Sequence, residues 1–161
     1  MLRLFIDPNS LLRFNVVLIS GLGGQTISMK DILMSQEKKE IRKVIDVYLS
    51  AIKTGDTDLF EKAFYPDAVV INAGEEDPEK AATPIADFAS RIEAGHKAGK
   101  GAEETALEVN ISQSGRVANA RVDFELKASG RVMLGTDFFN LVKRKNQWKI
   151  AQKIYDVTST K

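Results

Sequence analysis

Ile41, Val44, Ile45, Tyr48, Leu49 and Ile52 recur at spacings of three and four, one apolar stripe along an otherwise charged stretch. That period marks an amphipathic helix with a single buried face. Ser35 is its expected N-cap, and the turn from Thr54 to Asp56 ends it. Asp56 then caps a second, short helix over "TDLFEKAFY", which buries Leu59, Phe60, Ala63 and Phe64 and stops before Pro66. "DAVVINAG" reads as a strand and "EEDPEKAA" as a polar loop. A third helix opens at Thr83 and Pro84, buries Ile85, Phe88, Ala89 and Ile92, and gives way to loop at Gly95, Gly99 and Gly101.

Beyond that point the period falls to two. "TALEVNI" and the turn "SQSG" lead into "VANARVDFEL", where Ala118, Ala120, Val122, Phe124 and Leu126 share one face. Asn119, Arg121, Asp123 and Glu125 share the other, as in a half-buried antiparallel strand. "KASGR" turns this strand into "VMLGTDFFNLV", and "KRKNQ" turns that into "WKIAQKIYDV". Helices followed by a meander of strands predict an α+β fold, with helices on one face of a curved sheet.

The remaining composition narrows the chemistry. At 161 residues, 43% hydrophobic and 28% charged, the chain fits one globular domain. A net charge of +1 gives no strong attraction to nucleic acid or to an anionic membrane. No apolar run reaches the roughly 20 residues of a membrane helix. The lack of cysteine excludes disulfides and thiolate sites, and a single histidine, His96, excludes a multi-histidine metal site. No cofactor is implied. "VVLISGLGGQT" has Thr26 where a dinucleotide loop has its last glycine, and the helical pattern near Val44 replaces the second strand, so it reads as a glycine turn.

Residues 1–34 read as an N-terminal extension, with Met29 and Met34 as alternative starts. Its two arginines and the apolar patch from Phe14 to Ile19 are faintly signal-like, although Asp7 and Pro8 interrupt the approach. The expected compartment is cytoplasmic, or secreted or periplasmic if this segment is a signal. The sequon at Asn110 has meaning only in the latter case.

Asp137 breaks an apolar strand, on the face of Met133, Gly135, Phe139 and Leu141. Desolvating a carboxylate there is costly, so either it works as a neutral donor or acid, or it is a structural group held by Tyr48, a backbone N–H or Arg91. Tyr48, on the helix stripe, is a pocket residue or a core aromatic. Trp148 and Ile150 read as core or interface. Lys143, Arg144 and Lys145, joined by Lys149 and Lys153, read as a solvated basic turn, and His96 as a solvated loop residue.

"VIDVYLSAIKTGDTDLFEKAFYPDAVV" resembles the opening of nuclear transport factor 2-like domains, and "DFFNLVKRKNQWKIAQKIYDV" is similar to their lumazine-binding-labelled branch, related to SnoaL-like cyclases and ketosteroid isomerases. The likeness spans about Ser35 to Val157, with residues 35–161 as the domain. It implies a cone-shaped fold, three helices closing over a strongly curved antiparallel sheet, with an internal pocket and often a homodimer through the outer sheet face. It also implies roles: Tyr48 and Asp137 fall where the steroid isomerases keep two oxyanion donors, the second a neutral aspartic acid. Asn72 falls where they keep the aspartate base, and an amide cannot take a proton. Tyr65 stands where lumazine-labelled relatives often carry histidine. Asn72, Phe64, Phe88, Phe124 and Phe139 are the expected pocket lining. The expected function is binding of a planar or carbonyl-bearing metabolite. The alternatives are an isomerase, cyclase or dehydratase using Asp137 and Tyr48, and a non-catalytic dimerisation or scaffold domain.

Overall fold

The computed structural model of the chain describes residues 29–161; the signal-like patch and the glycine turn lie outside them. Lys38–Lys161 form one compact unit. Its elements in chain order are α1 (Met29–Thr54), α2 (Thr57–Ala63), β1 (Phe64–Asn72), α3 (Pro78–Ala81), β2 (Ala82–Pro84), α4 (Ile85–Lys97), β3 (Ala102–Ser114), β4 (Val117–Ala128), β5 (Arg131–Arg144) and β6 (Gln147–Thr160). The strands form one sheet in the order β2-β1-β6-β5-β4-β3. Every pairing is antiparallel except β1 with β6, which is parallel.

Local chemistry explains most boundaries. Ser35 does not cap α1 but lies inside it, among the strong helix formers Met34, Gln36, Glu37 and Lys38. Asp56 does cap α2, its carboxylate accepting from Asp58 N at 2.9 Å. Phe64 and Tyr65 leave that helix for β1, because Pro66 pushes the residue before it into extended geometry. The expected "EEDPEKAA" loop contains the one-turn α3, started by Asp77 and Pro78. Thr83 and Pro84 belong to β2, opposite Val70 and Val69, so α4 starts one residue later, at Ile85. The Thr83 hydroxyl accepts from Arg91 at 3.0 Å instead of capping.

Helix α4 continues through Gly95 to Lys97, which corrects the reading of His96. The ring is half-buried, with Nε2 2.8 Å from the Ile52 carbonyl oxygen, and it lies against Gly55 and Gly101. His96 therefore clips α4 to the end of α1 and the start of β3, and is not a solvated loop group.

The apolar stripe of α1 meets α2, α4 and the concave face of the sheet. Ile41, Ile45, Phe60, Phe64, Phe139, Leu141 and Ile150 are all buried there, as is Trp148. Register shifts leave Leu107 in β3, and Ala151 and Thr158 in β6, as extra residues. Such bulges bend and twist a strand, which is how these long strands curl over the helices. Among the described residues no helix is long and apolar enough to cross a membrane.

Candidate functional site

The strand parity that buries Leu141 and Phe139 carries on to Asp137, whose side chain is 0% exposed. Facing it is Lys153 of β6, 3% exposed, with Nζ 2.7 Å from Asp137 Oδ1. The sequence alone places Lys153 with a solvated basic turn. The structure buries it because the bulge at Ala151 turns two successive β6 side chains outward, Ala151 and Gln152, and returns the third to the interior. Asp137 is accordingly paired with a lysine, while Arg91 is engaged at Thr83.

The ammonium is enclosed by aromatic faces. Lys153 Nζ lies 5.0 Å from the Tyr48 ring centroid, 4.7 Å from Tyr155, 5.7 Å from Phe139 and 5.9 Å from Phe124. A desolvated cation is favoured at such rings, whose faces carry negative potential. The Phe124 ring packs over Gly135, where a Cβ would stand 2.5 Å from Phe124 Cζ.

A second carboxyl, absent from the sequence reading, completes the cluster. Glu104 of β3 is 7% exposed and accepts a hydrogen bond from the Tyr48 hydroxyl at 2.9 Å. Its carboxyl also abuts that of Asp137, close enough for a proton on either to bridge them. As two carboxylates they have nothing to donate to each other. Glu104 Oε1 and both Asp137 oxygens then lack a donor other than the Lys153 ammonium, 2.7 Å from Asp137 Oδ1. A proton held on Asp137, which burial favours, can be donated to Glu104 and so satisfy the pair.

Burial pushes Asp137 well above the usual carboxylate range; the Lys153 charge opposes this and Glu104 reinforces it. Burial pulls Lys153 down, but Asp137 and Glu104 more than offset it, so its ammonium is held above the ordinary lysine range. Burial also holds the Tyr48 hydroxyl protonated well above its usual value, with the Glu104 and Asp137 charges adding to it.

Tyr48 is 0% exposed and packs edge-on against Phe139, Phe64 and Phe60, at centroid separations of 5.1, 6.0 and 6.4 Å. Phe88 is half-buried and meets Phe60 at 5.9 Å. The structure thus brings Tyr48, Asp137, Phe64, Phe124 and Phe139 around one interior centre. Asn72 stands apart in role, at the end of β1, with its amide oxygen accepting from Gly74 N at 3.1 Å in a turn of its own. Tyr65 bonds the Val142 carbonyl at 3.2 Å and lies under the Arg144 guanidinium, 4.5 Å from the ring centroid. From Lys153, the inner face of β6 continues to half-buried Tyr155 and then to Val157, which is exposed.

No curated protein matches the chain. A solved nuclear transport factor 2-like protein of unknown function from Shewanella baltica OS155 is 27% identical, over 78% of this chain and 96% of that one, with a TM-score of 0.60. A Novosphingobium aromaticivorans protein named "Putative Scytalone Dehydratase" is 20% identical, over 83% and 91%, with a TM-score of 0.67. A type 2 hexachlorocyclohexane dehydrochlorinase is 8% identical, over 81% and 91%, with a TM-score of 0.67, and shares the fold alone. Residues 36–156 match the family described as "Putative lumazine-binding". The chain belongs to that family, within the nuclear transport factor 2-like superfamily.

Proposed function

We propose that the chain binds a small carbonyl- or hydroxyl-bearing molecule inside the cone, reached past Tyr155, with the Glu104–Asp137 pair as its polar contact. The supporting observation is the buried cluster itself: two carboxyls, a lysine and a tyrosine in an interior that apolar residues would stabilise as well or better. Glu104 Oε1, buried with no donor but a protonated Asp137, is the oxygen a ligand hydroxyl would meet. Tyr48, whose hydroxyl is spent on Glu104, acts by holding that carboxyl in place.

The same pair supports proton-transfer chemistry. Asn72 cannot act as a base, but Glu104 supplies a carboxylate. With Asp137 protonated, Glu104 takes a proton from carbon beside the ligand carbonyl, and Asp137 donates its hydrogen bond to the oxyanion that forms. Return of the proton to another carbon completes an isomerisation, and loss of a β-hydroxyl as water completes a dehydration. The homodimer through the outer sheet face belongs to the same proposal.

Native mass spectrometry of the full chain, gently purified from its own host, tests the binding. A defined small-molecule mass on the protein, lost in Glu104→Gln, is the expected result. A bare chain in every preparation would favour the scaffold reading, in which the cluster only shapes the interior.

A further inference from the structure

We propose that Asn72 and Tyr155 form the far end of the ligand site and select an uncharged planar molecule with two oxygen functions, a hydroxyl for Glu104 and a carbonyl for the Asn72 amide. The near end is the Glu104–Asp137 pair, so this inference rests on the function proposed above. Asp137 of β5 stands opposite Tyr155 of β6, and Tyr155 stands beside Asn72 of β1. Partners in register share a face, and Val70 and Lys153, two residues earlier in the same two strands, are both buried on the inner one. Asp137, Tyr155 and Asn72 therefore form a row along the inner face, about 10 Å from end to end at two strand spacings. One aromatic ring with a polar group at each end covers such a span.

The two ends of the row differ in what they offer. Glu104 presents an acceptor, Oε1. At the other end the Asn72 amide oxygen accepts from Gly74 N at 3.1 Å, which fixes the orientation of the amide and leaves its NH2 group to donate. Tyr155 is held just as firmly. Its carbonyl accepts from Ala73 N at 2.8 Å, and its ring centroid lies 4.7 Å from Lys153 Nζ, so the hydroxyl is the part left over. Both side chains are half-buried, and among the described residues neither the NH2 nor the hydroxyl has a hydrogen-bond partner. Two donors side by side call for one acceptor oxygen, as in a ketone, ester or amide carbonyl.

Charge narrows the class further. The Lys153 ammonium is already met by Asp137 and Glu104, so an anionic ligand group finds no counter-charge at the row. A carboxylate or phosphate is therefore a poorer occupant than a neutral carbonyl. The substitution that removes a proton acceptor from position 72 thus gives the position a different task, that of a donor.

The probe is 4-hydroxyacetophenone, with phenol as its near half, titrated into the ¹⁵N-labelled full chain. Affinity is read from the backbone amides of β6, and the far contact from the Asn72 side-chain NH2 pair, identified by its loss in Asn72→Asp. That variant keeps an oxygen for Gly74 N and turns the donor into an acceptor, while Tyr155→Phe keeps the ring over Lys153 and removes only the hydroxyl. The expected result is a saturable shift of both sets of signals, with probe affinity about tenfold weaker in each variant. Phenol should bind more weakly than the probe and equally to the wild type and both variants. No saturable shift with the probe, an NH2 pair that stays still as the probe saturates, or undiminished binding in both variants would overturn the far end and leave phenol to report on the near one. Glu104→Gln should weaken phenol and probe alike; phenol binding that survives it would overturn the reading of the carboxyl pair and, with it, this inference.

Discussion

An ammonium enclosed by the rings of Tyr48, Phe124, Phe139 and Tyr155 cannot stand there without a counter-charge, and the Asp137–Glu104 pair supplies it, with Asp137 Oδ1 at 2.7 Å. Removing one partner strands the other in the interior, whereas removing both leaves little to compensate. Lys153→Met should therefore cost about 3–5 kcal/mol in a wild-type background and much less in Asp137→Asn, a coupling read from urea denaturation of the four proteins. Additive losses would show that the two side chains do not act as a pair. The same set carries a pH signature. Tyrosine and lysine in the unfolded chain lose protons at about 10 and about 10.4, while burial of Tyr48 and the carboxyls beside Lys153 keep these protons on the native protein to higher pH. The native state then binds more protons than the unfolded one, so stability falls as pH rises above about 10. Asp137, raised by burial, acts in the same sense lower down, its contribution shrinking as pH climbs above about 4. Lys153→Met should flatten the alkaline slope, and Asp137→Asn should remove its share of the acid one.

Among the elements, the join of α1, α2 and α4 rests on one ring and one glycine. Gly55 adopts a φ of 70°, and a Cβ there would stand 2.7 Å from His96 Cδ2. Gly55→Ala should cost about 1–3 kcal/mol in chemical denaturation, from left-handed strain and the clash together. Adding His96→Ala removes the clash and should recover part of that loss; a purely additive double variant would place the whole cost in the backbone. The turn before Asp56 was readable because its chemistry is local. Periodicity likewise revealed α1, α4 and β4, where Ala118 through Phe124 alternate without interruption. Asp137 and Tyr48 stood out because each interrupts or decorates an apolar pattern. Glu104 and Lys153 did not, and the reason is the same for both. Counting back by twos from Ile111 and Val109 puts Thr105 inside and Glu104 outside, until the bulge at Leu107 reverses the parity. Counting forward from Trp148 and Ile150 exposes Lys153, until Ala151 does the same. Half of the cluster is thus set by two unpaired residues whose effect depends on cross-strand register, which no single segment of sequence contains.

At the scale of the whole molecule the outward face of the sheet is as patterned as the inward one. Asn119 donates to Asn140 at 3.0 Å and Asn140 to Gln152 at 2.9 Å, a polar ladder across β4, β5 and β6. Beside it Thr136 donates to Asp123 at 2.7 Å, so these side chains are already oriented by one another. Phe138 rises from the middle of this face, between Arg121 and Ile154 in register, with 42% of its surface exposed. An aromatic set among preordered amides is the composition of an interface centre, where a few anchors carry most of the binding energy. The proposed homodimer would place Phe138 of each copy near the two-fold axis, because an isologous contact uses the same patch twice. Phe138→Asp puts two carboxylates into that centre without disturbing the buried core. Size-exclusion chromatography with light scattering should give twice 17.8 kDa for the wild type and 17.8 kDa for the variant, with matching circular dichroism. A variant that stays dimeric would move the interface off this face, and a monomeric wild type would leave Phe138 as an isolated exposed ring.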